Sequence, residues 1–154
     1  MHKSLKKQHR QRGAILAETA VILPLLALLI LAAADVTNAF VDHNTLTKAV
    51  RNGARHVASN AILGTTGVVL LQPQLVREAQ NLVVYGNVTG TGAPLIDGLA
   101  TNDVLVLDLG DDNIAVTVTY DYQGILGNVL PGFDYGANIS LFRTLSATVR
   151  MQAL

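Results

Sequence analysis

From Ala14 to Ala34 the chain reads AILAETAVILPLLALLILAAA, a run in which Glu18 and Thr19 are the only polar residues. About 20 helical residues cross a hydrocarbon core of ~30 Å, so the run is long enough to span a membrane. Five basic residues, Lys3, Lys6, Lys7, Arg10 and Arg12, precede it, and the first charges beyond it are Asp35 and Asp42. The positive-inside rule therefore places the N-terminus in the cytoplasm and the C-terminal part outside.

The formal charge of the 154-residue chain is zero, but this is a sum of two unlike parts. Beyond Gly13 there remain six Lys and Arg against eleven Asp and Glu, so the rest of the chain is acidic. Phosphate binding needs a sustained positive surface, so this distribution argues against nucleic acid as a partner and for membrane targeting by the basic arm. With no cysteine there is neither a disulfide framework nor a thiolate site. The length fits one modest globular unit plus an extended element.

Three treatments of the apolar run are consistent with its flanks. An uncleaved anchor accounts for length and charge bias but not for Glu18. A secretory signal peptide would use Ala20 to Leu31 as its apolar region and be cut before Asp35, since Ala32 and Ala34 satisfy the small-x-small pattern. A prepilin-type leader would end at Gly13 and be cut on the cytoplasmic side, making Ala14 the new first residue and Glu18 the fifth. In that case the new Ala14 amine is a cation near hydrocarbon, and a carboxylate one turn away or on a neighbouring subunit can neutralise it. An unpaired charge there costs several kcal/mol. A bland alternative for Glu18 is an interfacial carboxylate among headgroups. For Pro24 the bland reading is an ordinary membrane-helix proline, and the functional one is a kink or locally melted turn that lets long helices pack.

Past Ala34 the helix is expected to continue, with Val36, Phe40, His43, Leu46 or Thr47, Val50, Ala54, Val57 and Ala61 recurring every three to four residues. Its polar face would carry Asp35, Asn38, Asp42, Thr45, Lys48, Arg51, Arg55 and Ser59. A single helix from Ala14 to Ser59 would reach about 70 Å at 1.5 Å per residue. Lys48, Arg51 and Arg55 read as a solvated basic strip or as partners of acids in the head. Gly53 costs about 1 kcal/mol against alanine in a helix interior, which close approach of another backbone would compensate.

Four domains follow: a leader at 1–13, a transmembrane half-helix at 14–34, an amphipathic half-helix at 35–60, and a head at 61–154. Within the head, PQLVREAQNLVVYG reads as a short helix, with Pro73 in its first turn, Leu75, Val76, Ala79, Leu82 and Val83 as its apolar stripe, and Gly86 ending it. VLVLDLGDDNIAVTVTY reads as a hairpin turning at Gly110 to Asn113, with Ile114, Val116, Val118 and Tyr120 on one face. QGILGNVLPGFDYG reads as a long apolar loop or short helix. The closing strand would place Leu141, Leu145, Ala147, Val149 and Met151 on one side. The expected fold class is α+β, a long membrane-embedded helix packed against a small antiparallel sheet with one short extra helix.

Nothing in this pattern supplies catalysis or implies a cofactor. Asp108, Asp111 and Asp112 lack the spacing of a calcium loop and suit a solvated turn. His43 and His56 have no second ligand at metal spacing. The glycine-rich stretch from Gly86 has no phosphate-loop lysine, and no nucleophile, base and orienting group stand in order.

The stretches RGAILAETAVILPLLALLILAAADV and LTKAVRNGARHVA together resemble the TadE-like pseudopilins of tight-adherence (Flp) pilus systems. In that family a glycine ends the leader, a glutamate stands five residues on, a proline follows a short aliphatic run, and the stalk ends in a stretch like AxRxGAR. Gly13, Glu18, Pro24 and Arg51, Gly53, Ala54, Arg55 occupy those places. Thr19 departs from the large apolar residue usual after the glutamate. The resemblance implies a minor pilin-like subunit of the bacterial inner membrane, cut between Gly13 and Ala14 by a prepilin peptidase. Its other partners would be pilin-like subunits in homo- or hetero-oligomers and the pilus assembly machinery, and it would carry no catalysis of its own.

Overall fold

The computed structural model describes residues 5–62, 69–125, 127, 129–130, 139–140 and 143–153. The chain forms two compact units, Met1–Thr37 and Asn38–Leu154. Helix α1 (Leu5–Asn60) supplies all the described structure of the first and opens the second. It starts well ahead of Gly13 because Leu5 to Arg12 are mostly strong helix formers. It also continues without interruption through Pro24. Proline has no N–H, so the Ala20 carbonyl loses its usual helical donor there.

In the second unit α1 is amphipathic, and its inward stripe is Leu46, Ala49, Val50, Ala54, Val57 and Ala58, all buried, as is Ala61 just past its end. The expected stripe differs at its beginning. Val36 and Phe40 are 57% and 66% exposed, His43 is exposed, and Asp35, expected on the polar face, is only 2% exposed. The inward face becomes fully buried only from Leu46, nearly three turns beyond Val36.

Helix α2 (Pro73–Tyr85) begins with proline at a position whose N–H needs no intrahelical partner. It ends at Gly86, whose φ of 73° is left-handed and whose N–H reaches the Leu82 carbonyl at 3.1 Å. Leu75, Ala79, Val83 and Val84 are buried, while Val76 and Leu82 lie at the margin. A single 3-10 turn (Thr101–Asp103) leads into the sheet, its Asp103 carboxylate accepting the Ala100 N–H at 2.9 Å.

Strands β1 (Val104–Gly110), β2 (Asn113–Tyr122) and β5 (Arg143–Gln152) form an antiparallel sheet in the order β1-β2-β5. Asp111 and Asp112 close the β1–β2 hairpin with φ of 49° and 59°. Two positive φ values in a two-residue loop match the right-handed twist of the flanking strands. Asp108 accepts the Gly110 N–H at 2.9 Å, so this acid serves the turn.

Val104 and Val106 of β1 and Ile114, Val116, Val118, Tyr120 and Tyr122 of β2 are buried on the inner face. Register pairs Val116 with Val149 and Val118 with Ala147, which puts the half-buried Leu145, Ala147, Val149 and Met151 in the same layer. The expected hairpin and closing strand are therefore present, with Leu141 outside the described residues.

The stretch read as an apolar loop or helix instead contributes β3 (Val129–Leu130), paired antiparallel with β4 (Ile139–Ser140) in a separate two-stranded ribbon. Residues 131–138 lie outside the described residues. So do 63–68 of the connection between the helices, whose ends meet at an Ile62–Val69 bridge.

Candidate assembly site on the N-terminal helix

Ile15 to Ala27 are all exposed, as a helix facing lipid or other helices must be, and no acid or base but Glu18 interrupts them. This is the one helix among the described residues long and apolar enough to cross a membrane, and its most apolar window has a mean hydropathy of 2.5. Gly13 and Ala14 lie within α1, so Glu18 stands one helical turn beyond Ala14, four residues on. The Thr19 hydroxyl donates to the Ile15 carbonyl at 2.9 Å, which satisfies the one uncharged polar side chain of the run within the helix itself.

The RNGAR stretch splits between two faces. Arg51 and Arg55, four apart, are exposed on one side with Lys48, while Gly53 and Ala54 point inward. The structure thus places the basic strip in solvent. A Cβ on Gly53 would lie 2.8 Å from Val83 Cγ2 and 3.3 Å from the Ala79 carbonyl oxygen, so α2 packs directly against the glycine. That contact fulfils the expected compensation for a glycine inside a helix.

A hydrogen bond invisible in the sequence joins the same helices. His56 Nε2 lies 3.0 Å from Glu78 Oε2, and Gln74 Nε2 donates to Glu78 Oε1 at 2.9 Å. The hydrogen bonds from Gln74 and His56, with the nearby charges of His56 and Arg77, hold the Glu78 carboxyl below its ordinary range. Of the partners, only the Gln74–Glu78 spacing of four is a local sequence signal.

A cleft of about 330 Å³ is lined by Asp42, Leu95, Ile96, Asp97, Gly98, Tyr120 and Gln123. The Tyr120 hydroxyl donates to the Asp97 carbonyl at 2.7 Å. Burial pushes the Tyr120 phenol up, helped by the charges of Asp42, Asp97 and Asp103, and burial likewise raises Asp42. The phenol is thus committed to a backbone carbonyl. No group of three or more His, Asp or Glu side chains placed to hold a metal occurs among the described residues.

An apolar N-terminal helix whose second half enters the core of a small antiparallel sheet defines an α+β protein. Residues 13–55 match the family model described as TadE-like protein, a segment that starts at Gly13 and ends at Arg55 of the RNGAR stretch. No curated protein and no solved structure matches the chain.

Proposed function

We propose that this chain is a minor pseudopilin of a tight-adherence pilus system, anchored in the bacterial inner membrane by residues 14–34 with its C-terminal part outside the cytoplasm. A prepilin peptidase removes the leader between Gly13 and Ala14. The Glu18 carboxylate then neutralises the new Ala14 amine, on its own chain or a neighbour's. Pro24 supplies a bend or loosened turn for helix packing, and the chain assembles with other pilin-like subunits without catalysing a reaction itself. The observation that carries this reading is the match over residues 13–55, which coincides with the leader glycine, Glu18, Pro24 and the RNGAR stretch.

Intact-mass measurement of the membrane-extracted protein tests it. The expected chain begins at Ala14, and a start at Asp35 would establish secretory cleavage and remove the pilin reading. Glu18→Ala is expected to insert into the membrane normally while pilus-dependent adherence falls. Normal adherence by that variant would contradict the role given to Glu18.

A further inference from the structure

One face of the β1-β2-β5 sheet packs on the core and the other turns away from it. On β2 and β5 the side chains that turn away are largely polar, as a solvated face requires: Thr117 and Thr119 on β2, Ser146 and Thr148 on β5, with the Thr117 and Thr148 hydroxyls 3.0 Å apart. Strand β1 departs from this rule. Register places Leu105 opposite Thr117 and Leu107 opposite Ala115, so both turn away from the core, and they are 55% and 43% exposed. Leu109, at the irregularity before the turn, is 45% exposed. Among the described residues β1 pairs only with β2, so it is also an edge of the sheet. Acids stand at both ends of the leucine row, Asp103 before it and Asp111 and Asp112 after it.

An apolar edge strand is a surface on which another chain can dock. Its acidic ends restrict which chain. If β1 paired antiparallel with the same strand of a second copy about Leu107, Asp103 of each would stand opposite Asp111 of the other, like charge against like. The row suits instead a surface that carries apolar side chains followed by cations.

The outward side of α1, within the same compact unit, carries them in that order. Phe40, Asn44, Lys48, Arg51 and Arg55 recur every three or four residues, with Val41 beside Phe40, and all are exposed. Asn38 and His43, exposed as well, flank this strip. Among the described residues Lys48, Arg51 and Arg55 make no ion pair with an acid of their own chain. From Phe40 to Arg55 the helix rises about 22 Å, and from Leu105 to Asp111 an extended chain covers about 20 Å. The inward stripe of α1 and the inward faces of the strands share one core, so the helix strip and the leucine row point away from each other and cannot meet within one chain.

We propose that the leucine row of β1 in one copy receives the outward side of α1 from a second copy. Phe40 and Val41 lie against Leu105 and Leu107, and Lys48, Arg51 and Arg55 face Asp111 and Asp112. The proposal rests on the assembly part of the reading above, not on leader cleavage, and names a second copy as one partner. A contact between unlike surfaces leaves one of each free at the ends, so it can repeat from chain to chain.

The chain has no cysteine, so introduced thiols report this contact alone. Full-length Asn44→Cys, Leu107→Cys and the double variant are expressed, oxidised in membranes and resolved without reductant, and the mature N-terminus is read by intact mass from the same sample. The expected result is a ladder of dimers and longer oligomers from the double variant and monomer from each single variant. Adding Asp111→Asn and Asp112→Asn retains a residue type that tolerates positive φ and should lower the ladder yield about fivefold through loss of the exposed charge pairs. An unchanged yield would overturn the charge match. A dimer from Leu107→Cys alone would show symmetric pairing of β1 in place of the helix contact. Monomer from the double variant in a chain that begins at Ala14 would overturn the contact and leave the pilin reading standing, whereas a ladder from a chain that begins at Asp35 would keep the contact and remove that reading.

Discussion

Gly53→Ala sets two effects of known sign against each other. Alanine is about 1 kcal/mol better than glycine in a helix interior, so the change would stabilise α1 if space allowed. Space does not allow it, since the new methyl would sit 2.8 Å from Val83 Cγ2 and 3.3 Å from the Ala79 carbonyl oxygen. Carbon atoms pack best at about 3.5–4.0 Å, so the first contact is deep in the repulsive range. Val83 is fully buried, and a β-branched residue in a helix has little rotamer freedom with which to yield. The Ala79 oxygen belongs to the backbone of α2 and moves only with the helix. Overpacking of this kind costs about 1–3 kcal/mol, which leaves a net loss of about 1 kcal/mol. Val83→Ala removes the obstructing methyl at a cost of about 2 kcal/mol, and in that background Gly53→Ala should become stabilising by up to about 1 kcal/mol. The four variants form a cycle with a coupling of about 2 kcal/mol. Urea titration of the full chain in detergent reads it through tyrosine emission, because Tyr85, Tyr120, Tyr122 and Tyr135 all lie beyond α1. An equal rise of the midpoint on Gly53→Ala in both backgrounds would refute the close-contact argument.

Asp112→Gly relieves a side chain from φ of 59° and should raise stability by about 0.5 kcal/mol in the same titration, with the Ala153 N–H to Asp112 carbonyl bond retained. Tyr120→Phe leaves the Asp97 carbonyl without its hydroxyl donor and should cost about 1–2 kcal/mol; a midpoint unchanged from wild type would show that water replaces the bond. The Glu78 carboxyl is held low in the folded state, so its contribution is complete above the ordinary carboxylate range and is lost as pH falls through the folded-state value. Glu78→Gln should therefore lower the urea midpoint at neutral pH and match wild type in strong acid, and a deficit that persists there would point to packing rather than charge.

How much of this architecture the sequence discloses depends on whether each element has a period. The β1–β2 hairpin is legible because Ile114, Val116, Val118 and Tyr120 alternate with smaller or polar residues and a turn signal separates the strands. Helix α2 is legible from its proline start, its stripe and its glycine end. The β3–β4 ribbon is not, because two-residue strands carry no periodicity and their pairing is fixed by tertiary contacts. Val36 and Phe40 mislead for another reason: apolar spacing marks a face that avoids water, but not whether protein or lipid covers it. Asp35 misleads in the opposite sense, since a lone charge reads as outward until burial is measured. Of the candidate site, Gly13, Glu18, Pro24 and the RNGAR spacing are readable along one helix. The His56–Glu78 pair, 22 residues apart, has no local signature.

The family match ends at Arg55, yet the core continues far beyond it, and the packing explains how both can hold. Inside the matched segment the inward residues of α1 are Leu46, Ala49, Val50, Gly53 and Ala54, and most of these are small. Such a face asks little of what covers it. Next to Gly53 it demands a helix that can come very close, which Ala79 and Val83 provide. Elsewhere it demands only an apolar layer, which the alternating residues of β1, β2 and β5 provide. Many sequences meet those two conditions, so the part of the chain beyond α1 can lie outside the family pattern while the same α+β arrangement forms around the helix. By contrast, Gly13, Glu18 and Pro24 are not replaceable by any residue of similar polarity if processing, charge neutralisation and helix bending are their proposed tasks. On this reading the residues matched to the family are those whose chemistry is specific, together with the helix face that demands close contact.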